Sequence, residues 1–283
     1  MAQKLEINVN IDELAGIADL GVRRAAVFMG LGLNAARRDD FNDYELRKLP
    51  IMPGQTGVPI DFVPSGLAEE EVRKFKEHFA TWVIGCGLRE LLEHYALFLD
   101  RVHEACLLVA CKNKRLELSN PQKAQKEFEN NLGIPRKLDK LLERFRFGPN
   151  EADSIKSLYA ARNALTHDLG VIKPTRCASG HSFQISWKTF DIFAQGEETG
   201  AIHTMPQLIG QKTEEPMIIC GKAVMRERAF PVGSNIVFSQ QDLWEICSFF
   251  RLFAIPSTRN GFLEFLKAEG VPIRIIDPHS VEA

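Results

Sequence analysis

Apolar side chains recur at helical spacing from Ile11 through Leu14, Ile17, Ala18, Val22, Ala25, Ala26 and Met29 to Leu33, with Asp12 and Glu13 in the first turn where the helix dipole favours anions. The pattern predicts a helix, or a broken pair of helices, over 11–36. The doubt over continuity comes from glycines at 16, 21, 30 and 32, each costing about 1 kcal/mol against alanine in a helix interior. From 49 to 66, Pro50, Pro53, Gly54, Gly57, Pro59 and Pro64 interrupt every period, which predicts an ordered loop or linker. That loop sets off an N-terminal helical extension, 1–64, from the main body, 65–283.

The body opens on a long helix. Ser65 is placed to cap it near Leu67, Glu69, Glu70 and Glu71 lie near its positive end, and Val72, Phe75, Phe79, Trp82, Cys86, Leu91, Tyr95, Phe98, Val102, Cys106 and Val109 carry one apolar face to about Cys111. A run of that length is expected to be the spine of an antiparallel bundle, with Gly85 and Gly87 as sites for a kink. Asn120 and Pro121 start a second helix that stops at Gly133, and Leu138, Leu141, Leu142 and Phe145 define a third ahead of Gly148 and Pro149. A fourth carries Ile155, Leu158 and Tyr159 and ends before Gly170.

Beyond Gly170 the period changes from helical to alternating. Phe183, Ile185 and Trp187 alternate with polar residues, and 217–230 and 235–238 also read as extended, so a small antiparallel sheet is expected as an insertion at about 173–238. Ser239 and Asp242 then form a capping-box start for a helix with Leu243, Trp244, Cys247, Phe250 and Phe253. A last short helix is expected over 258–269, followed by an extended tail from Val271 to Ile276. The fold class is mainly α.

Composition narrows the function. With 283 residues, 45% hydrophobic, 25% charged and a net charge of −2, the chain is ordinary globular protein with no overall basic field, so any nucleic-acid contact must come from a local patch. Six cysteines without a C-x-x-C pair read as reduced, buried thiols of a cytoplasmic protein. Charged residues near the N-terminus and the lack of a long uncharged apolar run predict neither a signal peptide nor a membrane partner.

The interval Arg-x-x-x-x-His occurs at Arg73 and His78, Arg89 and His94, Arg162 and His167, Arg176 and His181, and Arg274 and His279. Spacing alone is therefore uninformative, because residues five apart on a continuous helix point about 140° away from each other. Context singles out Arg162 and His167, since the histidine falls at the helix end, where the backbone can turn the ring back, and Asn163 lies four residues before it on nearly the same face. With Arg162-Asn163-Ala-Leu-Thr-His167-Asp-Leu-Gly170 in view, the stretch resembles the motif of the HEPN superfamily, in particular versions from prokaryotic defence and toxin proteins. The similarity extends loosely over about residues 65 to 172 and implies a HEPN-like antiparallel helical bundle.

The resemblance implies metal-independent endoribonuclease chemistry, with no cofactor and with 2′,3′-cyclic phosphate and 5′-hydroxyl ends. His167 suits acid or base work because an unperturbed imidazole titrates near working pH, Arg162 suits phosphate binding and charge stabilisation through its planar fork, and Asn163 would orient the ring or donate to the phosphate. One histidine is short of an acid and a base, and family members answer this by dimerising, so a homodimer is expected. RNA is the expected substrate, and an antitoxin or regulatory protein is a further partner of such effectors. Glu90 and Glu93 are the implied carboxylates to hold Arg162. Some relatives carry a Tyr two residues after the His as a target for nucleotide transfer, and Leu169 stands there instead.

A plainer reading stays open, in which Arg162 pairs with a bundle carboxylate, His167 caps its helix, and the chain is a non-catalytic helical interaction or ligand-sensing module. Lys137, Lys140 and Arg144 share one helical face and are the candidate RNA-binding residues, though such a run is more often only a solvated face, and Asp139 and Glu143 dilute it. Arg37 and Arg38 are balanced by Asp39 and Asp40. Cys177 and His181 supply only two ligands, so no metal site is expected. Trp82, Trp187 and Trp244 are expected in the core rather than as base-stacking platforms.

Overall fold

In the computed structural model, which describes residues 9–38, 66–115, 120–177, 180–208, 210 and 212–272, the chain opens with one unbroken helix, α1 (Ile11–Ala36), capped by Asn10 through a bond from the Glu13 amide. The glycines do not break it. Two of them, Gly21 and Gly32, are where it meets the long helix α2 (Glu69–Lys112): a Cβ at Gly21 would collide with His94, one at Gly32 with Val83, and one at Gly87 of α2 with Met29. Helix propensity is spent there on close approach of two backbones, and Ala18, Val22, Ala25, Met29 and Leu33 join the same hydrophobic cluster as α2.

Helix α2 runs through Gly85 and Gly87 without interruption for 44 residues. Its N-cap is Ala68, whose amide is bonded by the Glu71 carboxylate at 2.9 Å, and the expected cap Ser65, like the proline-rich loop before it, lies outside the described residues. The apolar face predicted from Val72 onward is buried only from Val83. Phe75, Phe79 and Trp82 stay exposed, with Trp82 at 64%, which corrects its expected place in the core. Trp244 is likewise 60% exposed, and only Trp187 is buried. The thiols need the same correction, because just Cys106 and Cys247 of the six free cysteines are buried.

Helices α3 (Pro121–Asn131), α4 (Ile134–Phe145) and α5 (Ala152–His167) follow in the expected order. Asn120 caps α3 by accepting from the Lys123 amide, and Arg146 ends α4 in the left-handed region at φ 61°. Helix α5 buries Ile155, Leu158, Ala161 and Ala164 between α2 and a sheet. That sheet has three antiparallel strands in the order β2-β1-β3, formed by β1 (Ser182–Gly196), β2 (Ile202–Thr204) and β3 (Met217–Pro231), with the single-turn helix α6 (Met205–Leu208) after β2. Ser182 pairs with Pro231 and the register holds to Gly196 opposite Met217. Residues 235–238 contribute only an isolated bridge, Asn235 to Val171.

The sheet is seated by the alternation that predicted it. Phe183, Ile185 and Trp187 are buried on one face, and the Ser157 hydroxyl of α5 accepts from the Ser186 amide at 3.1 Å. Trp187 Nε1 donates to the buried carboxylate of Glu245 at 3.0 Å, and Arg226 of β3 lies against the same carboxylate. Glu245 belongs to α7 (Gln240–Phe249), which begins with the predicted capping box between Ser239 and Asp242. A π-helical turn, Phe250–Ala254, joins α7 to α8 (Ile255–Ala268), so the two expected helices form one rod. Pro256 has no amide hydrogen to give to an α-helical bond, and the wider turn before it absorbs the loss.

The protein is thus mainly α-helical with a small antiparallel sheet. Tyr95 closes the core centrally, fully buried, edge-on to Phe250 and bonded to the Thr258 hydroxyl at 2.8 Å. Among the described residues no helix is long and apolar enough to cross a membrane, and most of the expected tail from Val271 lies outside them.

Candidate functional site

Helix α5 presents Tyr159, Arg162 and Asn163 half-buried along one flank, and Thr166 and His167 exposed at its end. The helix keeps its course through His167, and the chain reverses only afterwards, at Leu169 (φ 53°) and Gly170 (φ 81°). The histidine is at the helix end as expected, but the backbone does not turn its ring back toward Arg162. Regular helix geometry therefore sets Arg162 and His167 about 140° apart around the axis, and no hydrogen bond joins them.

Arg162 is 17% exposed, donates to Asn163 Oδ1 at 2.9 Å and lies 3.6 Å from Glu93 Oε1. Glu93 thus occupies the place the sequence reading gave it, although its shorter contact is with Arg89 at 2.6 Å. Glu90 does not share that role: it accepts from Arg24 of α1 on the other side of α2, which corrects its expected pairing with Arg162. His167 has no hydrogen bond or ion pair to the described residues. The neighbouring carboxylate of Asp168 is engaged elsewhere, held below the usual carboxylate range by Lys173 and Arg176.

Arg162 lines a cleft of about 210 Å³ between α2, α4 and α5 and the end of α3, with Tyr159, Lys137, Glu93 and Glu129 on its walls and the His167 ring outside it. Lys137 is not available to a nucleic acid. Its side chain is 4% exposed, with the ammonium 2.5 Å from Asp100 Oδ1 and 5.4 Å from the centre of the Phe128 ring, so its expected role in RNA binding is corrected to a structural one. Lys140 is exposed and paired with Glu143 at 2.7 Å, whereas Arg144 is half-buried in a second cleft, also about 210 Å³, that shares Leu132 with the first.

Beside Lys137 lies a polar network that the sequence reading passed over. His103 is fully buried and stacked on Phe128 with ring centres 3.8 Å apart. Arg144 Nη1 donates to His103 Nε2 at 3.4 Å, which leaves Nδ1 as the protonated nitrogen, donating to Gln125 Oε1 at 2.7 Å. Gln125 Nε2 in turn donates to the Asp100 carbonyl and to Glu129. Burial first, then the cations of Arg144 and Lys137, push the imidazole pKa down to about 4, so the ring is neutral near pH 7. The signal was present in the chain: Asp100 and His103 interrupt the apolar face between Leu99 and Cys106, and polar residues at core positions require partners.

Among the described residues no three His, Cys, Asp or Glu side chains gather as a metal site would need. No family model, curated protein or solved structure matches this chain significantly.

Proposed function

We propose that the chain is a HEPN-like, metal-independent endoribonuclease that works as a homodimer in the cytoplasm, as a defence or toxin-type effector. The observation that carries this reading is the contrast within the motif: an exposed imidazole at the end of α5 with no hydrogen bond or ion pair among the described residues, five residues from a half-buried guanidinium that opens on a cleft. A structural histidine is normally tied to a neighbour, as His103 is, and His167 is tied to none of the described residues. Its ring is free to take or give the proton of a 2′-hydroxyl or of the leaving 5′-oxygen, while Arg162 holds the phosphate whose charge grows in the transition state. Within one protomer the two groups diverge, so the reading requires a second copy that brings its own motif to the same cleft.

The alternative, a non-catalytic interaction module, draws on one specific observation. Arg162 already has acceptors in Asn163 and Glu93, which is what a structural arginine of a bundle would have. Incubating the protein with labelled RNA in EDTA separates the two. Cleavage to 2′,3′-cyclic phosphate ends that survives chelation and is lost in both His167→Ala and Arg162→Ala supports the nuclease. An absence of cleavage on every RNA tried, with both variants folded, leaves the module.

A further inference from the structure

Arg144 stands apart electrostatically from most arginines of the bundle. Arg24, Arg73, Arg89, Arg101, Arg115 and Arg162 each have a carboxylate within ion-pair distance, and Arg144, though half-buried, has none among the described residues. Its one partner among the described residues is His103, a neutral acceptor at 3.4 Å that takes one of the five guanidinium donors and returns no charge. The imidazole cannot move to compensate, since it is clamped against Phe128 and bonded to Gln125. A cation drawn part-way out of water without a counter-charge favours an anion from outside.

The surroundings fit an oxyanion. Arg144 opens on the second cleft, whose about 210 Å³ is lined also by Lys140, Asn131 and the edge of α3. Lys140 is bonded only to Glu143, an exposed pair one turn apart that an incoming phosphate can displace. Glu127 also lines the cleft but forms no ion pair with either cation. The shared wall at Leu132 places this cleft next to the one that holds Arg162.

We propose that the Arg144 cleft is a phosphate subsite, in which the Arg144 guanidinium, oriented by His103, and the Lys140 ammonium hold a backbone phosphate of RNA beside the Arg162 cleft. The inference rests on the nuclease reading for the identity of the ligand, and on the uncompensated guanidinium for its chemistry. Lys137, on the same helix, takes no part because Asp100 holds it.

The test is binding of a short labelled single-stranded RNA in EDTA, on a His167→Ala background, at several salt concentrations. Arg144→Gln is expected to weaken binding by about tenfold or more, as loss of a hydrogen bond to a charged group does. Each of Arg144→Gln and Lys140→Gln should lower the slope of log affinity against log salt by about 0.7, the value for one phosphate contact on a single strand. Arg144→Lys should recover part of the affinity. Unchanged affinity and slope in both Gln variants overturn the subsite, and a merely structural Arg144 would lower the unfolding midpoint without touching the slope of Lys140→Gln. Titration with sodium phosphate distinguishes failure of the subsite from failure of the nuclease reading. If no RNA is bound or cleaved, yet phosphate raises the unfolding midpoint only when Arg144 is present, the anion site stands and the nuclease falls; if RNA is cleaved with unchanged KM when either Gln substitution is made in the parent chain with His167 intact, the nuclease stands and the subsite falls.

Discussion

Lys137 Nζ and Asp100 Oδ1 lie 2.5 Å apart inside the bundle, joining α4 to α2 with side chains that are 4% and 10% exposed. Removing one partner of such a pair leaves a buried charge without compensation, and the cost is of order 3–5 kcal/mol. Burial already pushes the Asp100 carboxyl upward against the pull of Lys137, so in Lys137→Met the acid is expected to protonate and bring the cost toward the lower figure. Lys137→Met should therefore lower the stability measured by urea unfolding by about 3 kcal/mol. The double variant Lys137→Met with Asp100→Leu should recover most of it. Full additivity of the two losses would deny the coupling.

His103 makes stability depend on pH. The imidazole titrates near 6.5 in the unfolded chain and about 4 in the folded one, so between those values the unfolded state binds more protons. Stability from this group is complete above pH 6.5 and is lost as pH falls toward 4, by up to about 3 kcal/mol at 1.36 kcal/mol per pH unit of pKa difference. Unfolding midpoints at pH 7.5, 6 and 5 should fall in that order. In His103→Gln that part of the dependence should vanish, and a slope equal to that of the parent chain would rule the residue out as its source.

Periodicity was sufficient for the elements and insufficient for their faces. The order of helices α1 to α5, the Asn120 cap, the Ser239 capping box and the inward alternation of Phe183, Ile185 and Trp187 are local patterns, fixed by period and side-chain chemistry before any packing occurs. Trp82 and Lys137 show what such patterns omit. An apolar stripe on α2 says that something could cover Trp82, not that anything does, and a lysine on an amphipathic helix looks solvated until Asp100, 37 residues earlier, reaches it. Gly21 and Gly87 mislead in the opposite direction, because a weak helix former is also the residue that lets two helices touch. At the motif itself the sequence placed Arg162 and His167 on the end of one helix but not on which side of it each would lie. That depends on where the left-handed turn falls, and it falls after the histidine, at Leu169 and Gly170.

The turn itself can be tested through those two residues. Leu169 is 83% exposed and sits at φ 53°, a region that a branched side chain occupies at a cost of about 1 kcal/mol. Leu169→Gly is expected to raise the unfolding free energy by up to that amount or to leave it level, since glycine's entropy opposes the relief of strain. Gly170→Ala should do the reverse and destabilise by about 1 kcal/mol, because φ is 81°, while the added methyl would meet Leu165 and Thr81 only at ordinary contact distance. Urea unfolding of the two variants measures both signs, and a stable Gly170→Ala protein would mean the turn is not held as described.

On the proposed nuclease, the second copy is expected to dock beside Phe79 and Trp82. Phe79 and Trp82 are stacked with ring centres 6.2 Å apart and stand exposed on α2, one on each side of Thr81, which packs beneath Gly170 just past the motif. An apolar pair next to a site that is incomplete in one protomer is where dimerisation would both bury surface and bring two His167 rings together. Trp82→Asp removes the larger ring and sets like charges across a two-fold contact. A central aromatic of this kind is commonly worth about 2 kcal/mol, so the dimer dissociation constant should rise by about thirtyfold or more. Sedimentation should shift from dimer toward monomer at micromolar protein, and RNA cleavage should fall in step with the dimer fraction and return at high protein concentration. The unfolding midpoint of the monomer should hardly change, as expected for a surface position. Cleavage by a protein that sediments as a monomer at every concentration would separate the chemistry from dimerisation and remove the need for the partner's histidine.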